Sequence, residues 1–574
     1  MKYKLIGSND LSNVVKTTLI NRGITNWQEY LDLNKLDDQE CYGLNNIHEA
    51  VECFAKHMER GSEVGILFDT DTDGICSGTI VYKYIKALSP DTVVHAILHR
   101  RPKAHGLSAR DYDIPSGVKL LIVPDSSTND VEECQELIDN GVEIIIADHH
   151  ISSDDRPNPA IVMNNQMSEH YPNKDACGAH ITYDFLKAVD EYFWTDYADQ
   201  FIDLVALADI ADVMSIKSFP TRAAINVGLE SIENKMFKEI IKAQEFSTKG
   251  ILSPFTISFY VSPLVNAFLR CATFEERQLL VRAFCEDESE VFFYTKRGED
   301  LPTEENIYEH VVRLMKSHKG KQDRTKKKAL PQVLNMTKDN DDKVAIIDVT
   351  KVLDNALTGV VAIKVSEELC KPVILLQRKD SDVYGGSARA FDNCQVEDLR
   401  SLVDECPYTN FANGHPSACG VEIPAGNIEK VREWLNQKLA DVSMEKVYTV
   451  DFEVDADDLD SQMFLTLDQN KTLWGHQVDE PLFAIKNIYV TPENARICGK
   501  NRDTIQIYNE ETNVKYIMFG CNESNELYQW LSENWDNEET YITVIGKLGL
   551  NLYEGKLDSQ VVIKDVSVMP TVQD

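Results

Sequence analysis

The sequence predicts an α/β chain: a parallel-sheet domain, a smaller α/β domain joined to it by helices, and a C-terminal β-barrel. Three observations predict it. From Glu63 short apolar runs alternate with helical stretches, the βαβ signature of a parallel sheet. The alternation restarts at Asp342 after a helical interval. From Tyr448 the chain changes to short strands separated by Asn, Asp and Gly turns, as small antiparallel barrels and sandwiches do.

Each element follows in order. Residues 1–45 read as a small helical lead-in. In residues 46–220, EVGILFD reads as a strand, SGTIVYKYIKAL as a helix and TVVHAILH as a strand. VKLLIVPD is the next strand and NDVEECQELIDN a helix, followed by the strands VEIIIAD and PAIVMN. Such unbroken apolar runs suit strands covered on both faces. YADQFIDLVALADIADVMSI reads as a long helix, and residues 221–330 as a helical connector. Residues 331–445 carry the strand DKVAIIDV, the helix NALTGVVAIKVSEEL and the strand KPVILLQ. Residues 446–574 form the region of short strands.

Bulk properties narrow the class. The 574 residues carry a net charge of −36, which by itself argues against a nucleic-acid binder. Acids gathered around divalent cations would also count toward that sum. Two basic runs stand out, HRRPKAHG at His99–Gly106 and KSHKGKQDRTKKK at Lys316–Lys328. The 13 cysteines show no C-x-x-C pair, so a reducing compartment fits better than a disulfide framework or zinc ribbon. The start MKYKLIGSNDLS lacks the apolar core of a signal peptide, and no apolar run is long enough to span a bilayer. A soluble, cytoplasmic monomer without membrane contact is expected.

The chemistry lies where strands end. Asp69, Asp71 and Asp73 follow the first strand, Asp125 follows another, and Asp148, His149 and His150 follow a third. In a parallel sheet these termini share one edge, where ligand sites form. Asp209 and Asp212 are three apart and are expected on one helix face. So many carboxylates on one rim would repel strongly without counter-charge. A carboxylate-rich set with imidazole and no thiolate favours Mn²⁺ or Mg²⁺. Each part also has a plainer reading. D-x-D-x-D occurs in surface or calcium-like loops, Asp125 could cap a helix, and a His pair can be hydrogen-bonded scaffolding. Asp209 and Asp212 could be a solvated face, though Leu204, Val205, Leu207, Ile210 and Val213 leave little room for one.

In the order DTDTDG, VPDSS, ADHH and LADIADV, the sequence resembles the four motifs of the DHH phosphoesterase family. NALTGVVAIKVSEELCKPVILL, GGSARAFD and FANGHPSACG resemble the DHH-associated domain. SFYVSPLVNAFLR and VIGKLGLNLYEGKLDSQVVIKDV are similar to the linker signature and OB-fold strands of RecJ-type exonucleases. The resemblance implies a parallel-sheet DHH domain, a DHH-associated substrate-binding domain and an OB-like barrel. It implies two Mn²⁺ or Mg²⁺ ions held by Asp71, Asp73, Asp125, His149 and Asp212, with Asp125 bridging and Asp69 a further candidate. His150 would meet the substrate phosphate, and Asp148 would orient its neighbours. Ser387, Arg389, Gly414 and His415 would grip the terminal nucleotide, and Arg101, His105, Asn266 and Arg270 the backbone phosphates. Asn413, Cys419 and Leu264 depart from the family pattern, around the grip and not among the metal ligands.

The implied activity is 5′→3′ hydrolysis of single-stranded DNA to mononucleotides by two metal ions, in repair or recombination. By analogy, a single-strand-binding protein or a helicase would be partners. A DHH phosphodiesterase of short oligonucleotides or cyclic dinucleotides would leave the residues after Tyr448 unexplained. A non-catalytic nucleic-acid-binding scaffold would have lost ligands, and here every position is filled. Two features stay open. Trp474, Tyr489, Tyr508 and Tyr516 are either core or base-stacking residues, and the Lys316–Lys328 run is either a solvated linker or an electrostatic funnel.

Overall fold

The computed structural model describes residues 1–568 except 37–39, 103, 153–155, 297, 299, 338–341, 381, 392–393, 534–538 and 554–555. Lys103 of the first basic run and Asp392 of the GGSARAFD segment therefore lie outside the described residues. The chain forms two compact units. One comprises Ile24–Gly320 and Lys471–Asp479; the other comprises Met1–Gly23, Lys321–Asn470 and Glu480–Asp574.

The chain opens on a strand, β1 (Lys2–Leu5), so the N-terminal region is not wholly helical as expected. Its polar sequence KYKL gives little strand signal, because its pairing partner lies more than four hundred residues away.

The Ile24–Gly320 unit is built on a five-stranded sheet of β2 (Glu63–Phe68), β3 (Val94–Leu98), β4 (Val118–Pro124), β5 (Glu143–Asp148) and β6 (Ile161–Asn164). Every pairing is parallel and the order is β3-β2-β4-β5-β6. Ile66, Leu120, Leu121, Ile145 and Ile146 are fully or almost fully buried, each stabilising the sheet by roughly 1.5–3 kcal/mol. The chain steps from β2 out to β3, then crosses to β4 on the other side of β2. That reversal opens a crevice outside the carboxyl ends of β2 and β4. Helices α1 (Thr72–Leu88), α2 (Val131–Asp139), α3 (Gly178–Phe193) and α4 (Ile202–Ala211) pack in this unit.

The connector is helical as expected, including α5 (Ser262–Cys271), but it also holds a hairpin of β7 (Phe292–Tyr294) and β8 (Thr303–Glu305). The second basic run is helical. It lies inside α6 (Ile307–Asn335), a 29-residue helix with Pro331 in its last turns.

In the other unit β9 (Ala345–Asp348), β10 (Val373–Arg378), β11 (Val383–Arg389), β12 (Phe411–His415) and β13 (Ala418–Pro424) form a sheet ordered β12-β13-β11-β10-β9. Here α7 (Thr358–Leu369) contributes Val361, Ala362 and Val365 to one core beneath β9 and β10. Next, β14 (Val447–Val450) pairs in parallel with β1. The remaining strands are β15 (Phe452–Asp455), β16 (Phe483–Val490), β17 (Ala495–Cys498), β18 (Thr504–Asn509), β19 (Val514–Phe519), β20 (Thr540–Tyr553) and β21 (Lys556–Val568). They form one seven-stranded sheet, ordered β15-β16-β20-β21-β19-β18-β17. It is mixed rather than antiparallel, because β15–β16 and β19–β21 run parallel. Residues 471–479 leave this region and pack in the Ile24–Gly320 unit, where the Leu473 carbonyl accepts from Arg222 at 3.2 Å.

Candidate metal centre

The sheet delivers its acids to one rim. Asp69 follows β2 directly and is 3% exposed. Asp71 caps α1, its carboxylate accepting from the Gly74 N–H at 2.9 Å. Asp73 sits in the first turn of α1 and is buried. Its two oxygens accept from the Gly178 and Ala179 N–H groups, at 2.7 and 2.8 Å, at the start of α3. A helix N-terminus favours an anion there.

Asp125, past β4, is not a helix cap. Its φ of 63° lies in the left-handed region, and its N–H donates to the Ala147 carbonyl at 2.7 Å. A non-glycine residue is held there only where its surroundings over-determine it. Gly178 supplies part of that constraint, because a Cβ on it would stand 2.5 Å from Asp125 Cβ.

At the end of β5, Asp148 is fully buried and orders both histidines. Its Oδ1 accepts from the His149 N–H at 2.7 Å, the His150 N–H at 3.1 Å and His150 Nδ1 at 2.8 Å. Its Oδ2 accepts from the Thr128 N–H at 3.0 Å. His149 Nε2 then faces Asp125 Oδ1 at 3.3 Å, Asp212 Oδ2 at 3.5 Å and Asp73 Oδ2 at 3.8 Å.

Asp212 reaches this point by a route different from that expected. Helix α4 ends at Ala211, Asp212 is its C-cap, and Val213 has a φ of 60°. The Asp212 N–H still donates to the Ala208 carbonyl at 2.8 Å, and Asp209 and Asp212 have different partners. Asp209 is fully buried and accepts from His180 Nδ1 at 2.8 Å and the Cys177 N–H at 3.2 Å. This pair braces the start of α3, whose amides hold Asp73. The sequence reading missed His180, Cys177 and Gly178; the signal was GAH at a helix start shortly after the DHH segment.

Electrostatics fit the geometry. Burial, then repulsion from Asp71, pushes the Asp73 carboxyl up to about 7. Burial and neighbouring carboxylates also raise Asp69, Asp125 and Asp212. Burial and the nearby His150 push His149 down to about 4, leaving a neutral imidazole at neutral pH. Burial opposes ionisation of Asp148, but the His150 hydrogen bond and both imidazoles outweigh it and hold the carboxyl low. For His150 burial works against the charge, and the Asp148 contact outweighs it, raising the imidazole.

At this rim three groups of described side chains bring potential ligand atoms within 4.8 Å of one another: Asp69–Asp71–Asp125, Asp73–His149–Asp212 and Asp125–His149–His150. Asp125 and His149 each belong to two of them. Asp69 Oδ1 and Asp125 Oδ2 are buried and, among the described residues, accept no hydrogen bond. Unfilled carboxylate oxygens beside a neutral imidazole, with no thiolate, fit hard divalent cations, and Asp125 is placed to be shared.

The expected phosphate contacts fall in two places. In the Ile24–Gly320 unit, His105 Nδ1 is hydrogen-bonded to Asp69. Burial opposes its charge, but the Asp69 contact raises it to about 9. Asn266 Oδ1 accepts from Thr72 Oγ1 at 2.8 Å, tying α5 to the start of α1. Arg270 follows one turn later on α5; burial lowers it, and the charge of Asp71 acts in the opposite direction. Arg101 is exposed and pairs with Asp111 at 3.1 Å.

In the other unit, Ser387 and Arg389 lie two apart on β11 and share a face. Arg389 and His415 both register against Ala418, and Ser387 and Asn413 against Gly420. The row is lined by small residues, and a Cβ on Gly420 would meet nothing nearer than 3.8 Å. Gly414, at φ 130°, lets the β12–β13 turn approach closely. Of the four aromatics left open, Trp474 and Tyr516 are core residues, 3% and 0% exposed. Tyr489 is at the surface, and Tyr508 is half-buried with its hydroxyl donating to Asn513.

Comparison with known proteins gives this arrangement a class. Residues 63–209 match the DHH family, N-terminal domain, and residues 450–565 match the RecJ OB domain. The single-strand DNA-specific exonuclease YorK of the SPbeta prophage in Bacillus subtilis (strain 168) is 34% identical over 100% of this chain and 99% of its own length. RecJ of the same organism is 22% identical, over 97% of this chain and 68% of its own. The chain belongs to the RecJ family of DHH proteins. RecJ from Thermus thermophilus, solved in complex with Mn²⁺, shares the fold at a TM-score of 0.75 and 17% identity, covering 99% of this chain and 80% of that one.

Proposed function

We propose that this chain is a metal-dependent exonuclease that degrades single-stranded DNA from the 5′ end to mononucleotides, in repair or recombination. The observation that carries this is the convergence of Asp73, Asp125, His149 and Asp212 on one point, with buried carboxylate oxygens left unfilled. Asp71, Asp73, Asp125, His149 and Asp212, with Asp69 beside them, would hold two Mn²⁺ or Mg²⁺ ions. Bound there, two such ions supply an activated water and neutralise charge on the phosphate.

The chain's own groups do the rest. Asp148 holds the His149 backbone N–H and the His150 ring; His149 presents Nε2 to the acids, and the Asp148 contact raises the proton affinity of His150 at the rim. Once protonated, His150 would place a positive group where oxyanion charge develops and stabilise the transition state without reorganisation. Ser387, Arg389, Gly414 and His415 would seat the 5′ nucleotide, and Arg101, His105, Asn266 and Arg270 the following phosphates. The names of the relatives support the strand preference, and the RecJ OB domain match favours long strands over dinucleotides. No described helix is long and apolar enough to cross a membrane; a cytoplasmic monomer, with a single-strand-binding protein or helicase as partner, completes the proposal.

Oligonucleotides labelled at either end, with Mn²⁺ and then with chelator, test the reading. Mononucleotides should be released from a 5′-labelled single strand, only with metal. Release starting at the 3′ end would refute the polarity, and faster loss of duplex would refute the strand preference.

A further inference from the structure

Helix α6 carries a charge pattern that the metal centre does not use. Between Lys316 and Lys328 it holds seven Lys or Arg residues and one acid, in a chain whose net charge is −36. Lys316, Lys321, Arg324, Lys327 and Lys328 are exposed, and among the described residues none of them forms an ion pair. Lys326 differs, being paired with Asp323 at 2.7 Å. At 100° per residue the five free cations fall within an arc of roughly 140°, over about 18 Å of helix. Val311, Met315, Gln322, Ala329 and Val333 are buried on the opposite side. The helix is therefore held by one face and presents an uncompensated cationic stripe on the other.

Unpaired like charges at this spacing destabilise a helix slightly, so the stripe is a cost unless an anion meets it. The region that single strands would be expected to follow is poorly suited to them: residues 450–565 carry 22 acids against 9 basic residues. Backbone binding requires cations that displace condensed counterions.

We propose that the exposed face of α6 is a sequence-independent binding track for the phosphate backbone of single-stranded DNA. This rests on the nuclease reading above and adds to it a contact by residues outside the metal centre. The track would raise the residence of long strands and leave the reaction of very short ones unchanged.

The test compares the full-length parent with Lys321→Glu/Arg324→Glu/Lys328→Glu, and with the milder triple change to Gln. Anisotropy of labelled oligo-dT, with chelator present to prevent hydrolysis, is followed across a salt series. The triple Glu variant should lose at least tenfold in affinity at low salt. Its log–log salt slope should shrink by about 2, at ~0.7 per lost contact on a single strand. The Gln variant should move the same way by less, with both variants melting like the parent. Hydrolysis of a short oligonucleotide in Mn²⁺ should be unchanged. Parental strand affinity and slope in both folded variants would overturn the proposal and leave the face to solvent or to an acidic protein. If the parent hydrolyses neither short nor long strands, the nuclease reading itself fails, which the short-substrate control separates from failure of the track.

Discussion

At the residue scale, Asp125 has the most to do. It is buried, it belongs to two ligand groups, and its Oδ2 has no hydrogen-bond donor among the described residues. Asp125→Ala should lower Mn²⁺-dependent hydrolysis by ~10³-fold or more, an effect of at least about 4 kcal/mol on the barrier. The melting temperature should hold or rise, because a destabilising cluster loses one charge. Steady-state kinetics and thermal melting together check this. Asp73 predicts a pH dependence. Its carboxyl is pushed up to about 7 in the absence of a cation, so below that pH a cation must displace a proton. Mn²⁺ affinity should therefore tighten as pH rises through 7, by up to about tenfold per unit below it, as titration calorimetry would show. Affinity that is flat with pH, or that weakens as pH rises, would contradict it. The strand-end acids were legible because the repeated βαβ pattern fixes which end of each strand faces the crevice. Asp212 was legible as a candidate beside Asp209, but the end of its helix was not: the apolar pattern runs on past Ala211, and nothing in it marks the left-handed Val213.

At the element scale, the start of α3 acts as a clamp: its first amides hold Asp73, and Gly178 lies against Asp125. Gly178→Ala would force Asp125 or α3 to move, and such overpacking costs typically ~1–3 kcal/mol. Reduced Mn²⁺ affinity with a lower melting temperature is expected; parental values of both would show that the approach is not tight. The N-terminal segment predicts a second effect. Arg22 reaches Asp451, at 3.1 Å for its longer contact, and the Asp451 carboxylate also accepts from the Leu482 N–H at 2.9 Å. Both side chains are nearly buried, so Asp451→Ala should destabilise by about 3–5 kcal/mol, measured by denaturant unfolding. Neither that pair nor the β1–β14 pairing could be read from sequence, since no local pattern links residues so far apart. The buried strands were readable, because continuous Ile, Leu and Val runs admit few other environments.

At the scale of the whole molecule, charge is distributed by region rather than averaged. The net −36 combines a buried acidic rim, an acidic C-terminal region and the basic stripe on α6. The run in α6 left a solvated linker and an electrostatic funnel both open, because charge alone decides neither; Gly320 and Pro331 also argue against a continuous helix there. The helix persists because its apolar residues recur on one buried face, a tertiary effect that overrides local propensity. The mixed strand directions near the C-terminus were hidden for a related reason, since parallel neighbours there come from distant segments. The proposed activity depends on the convergence of acids and imidazole. Anomalous diffraction from a crystal soaked in Mn²⁺ tests it most directly. Two peaks about 3.5–4 Å apart, flanking Asp125, are predicted; no peak at that rim, or a peak ligated without Asp125 and His149, would contradict it.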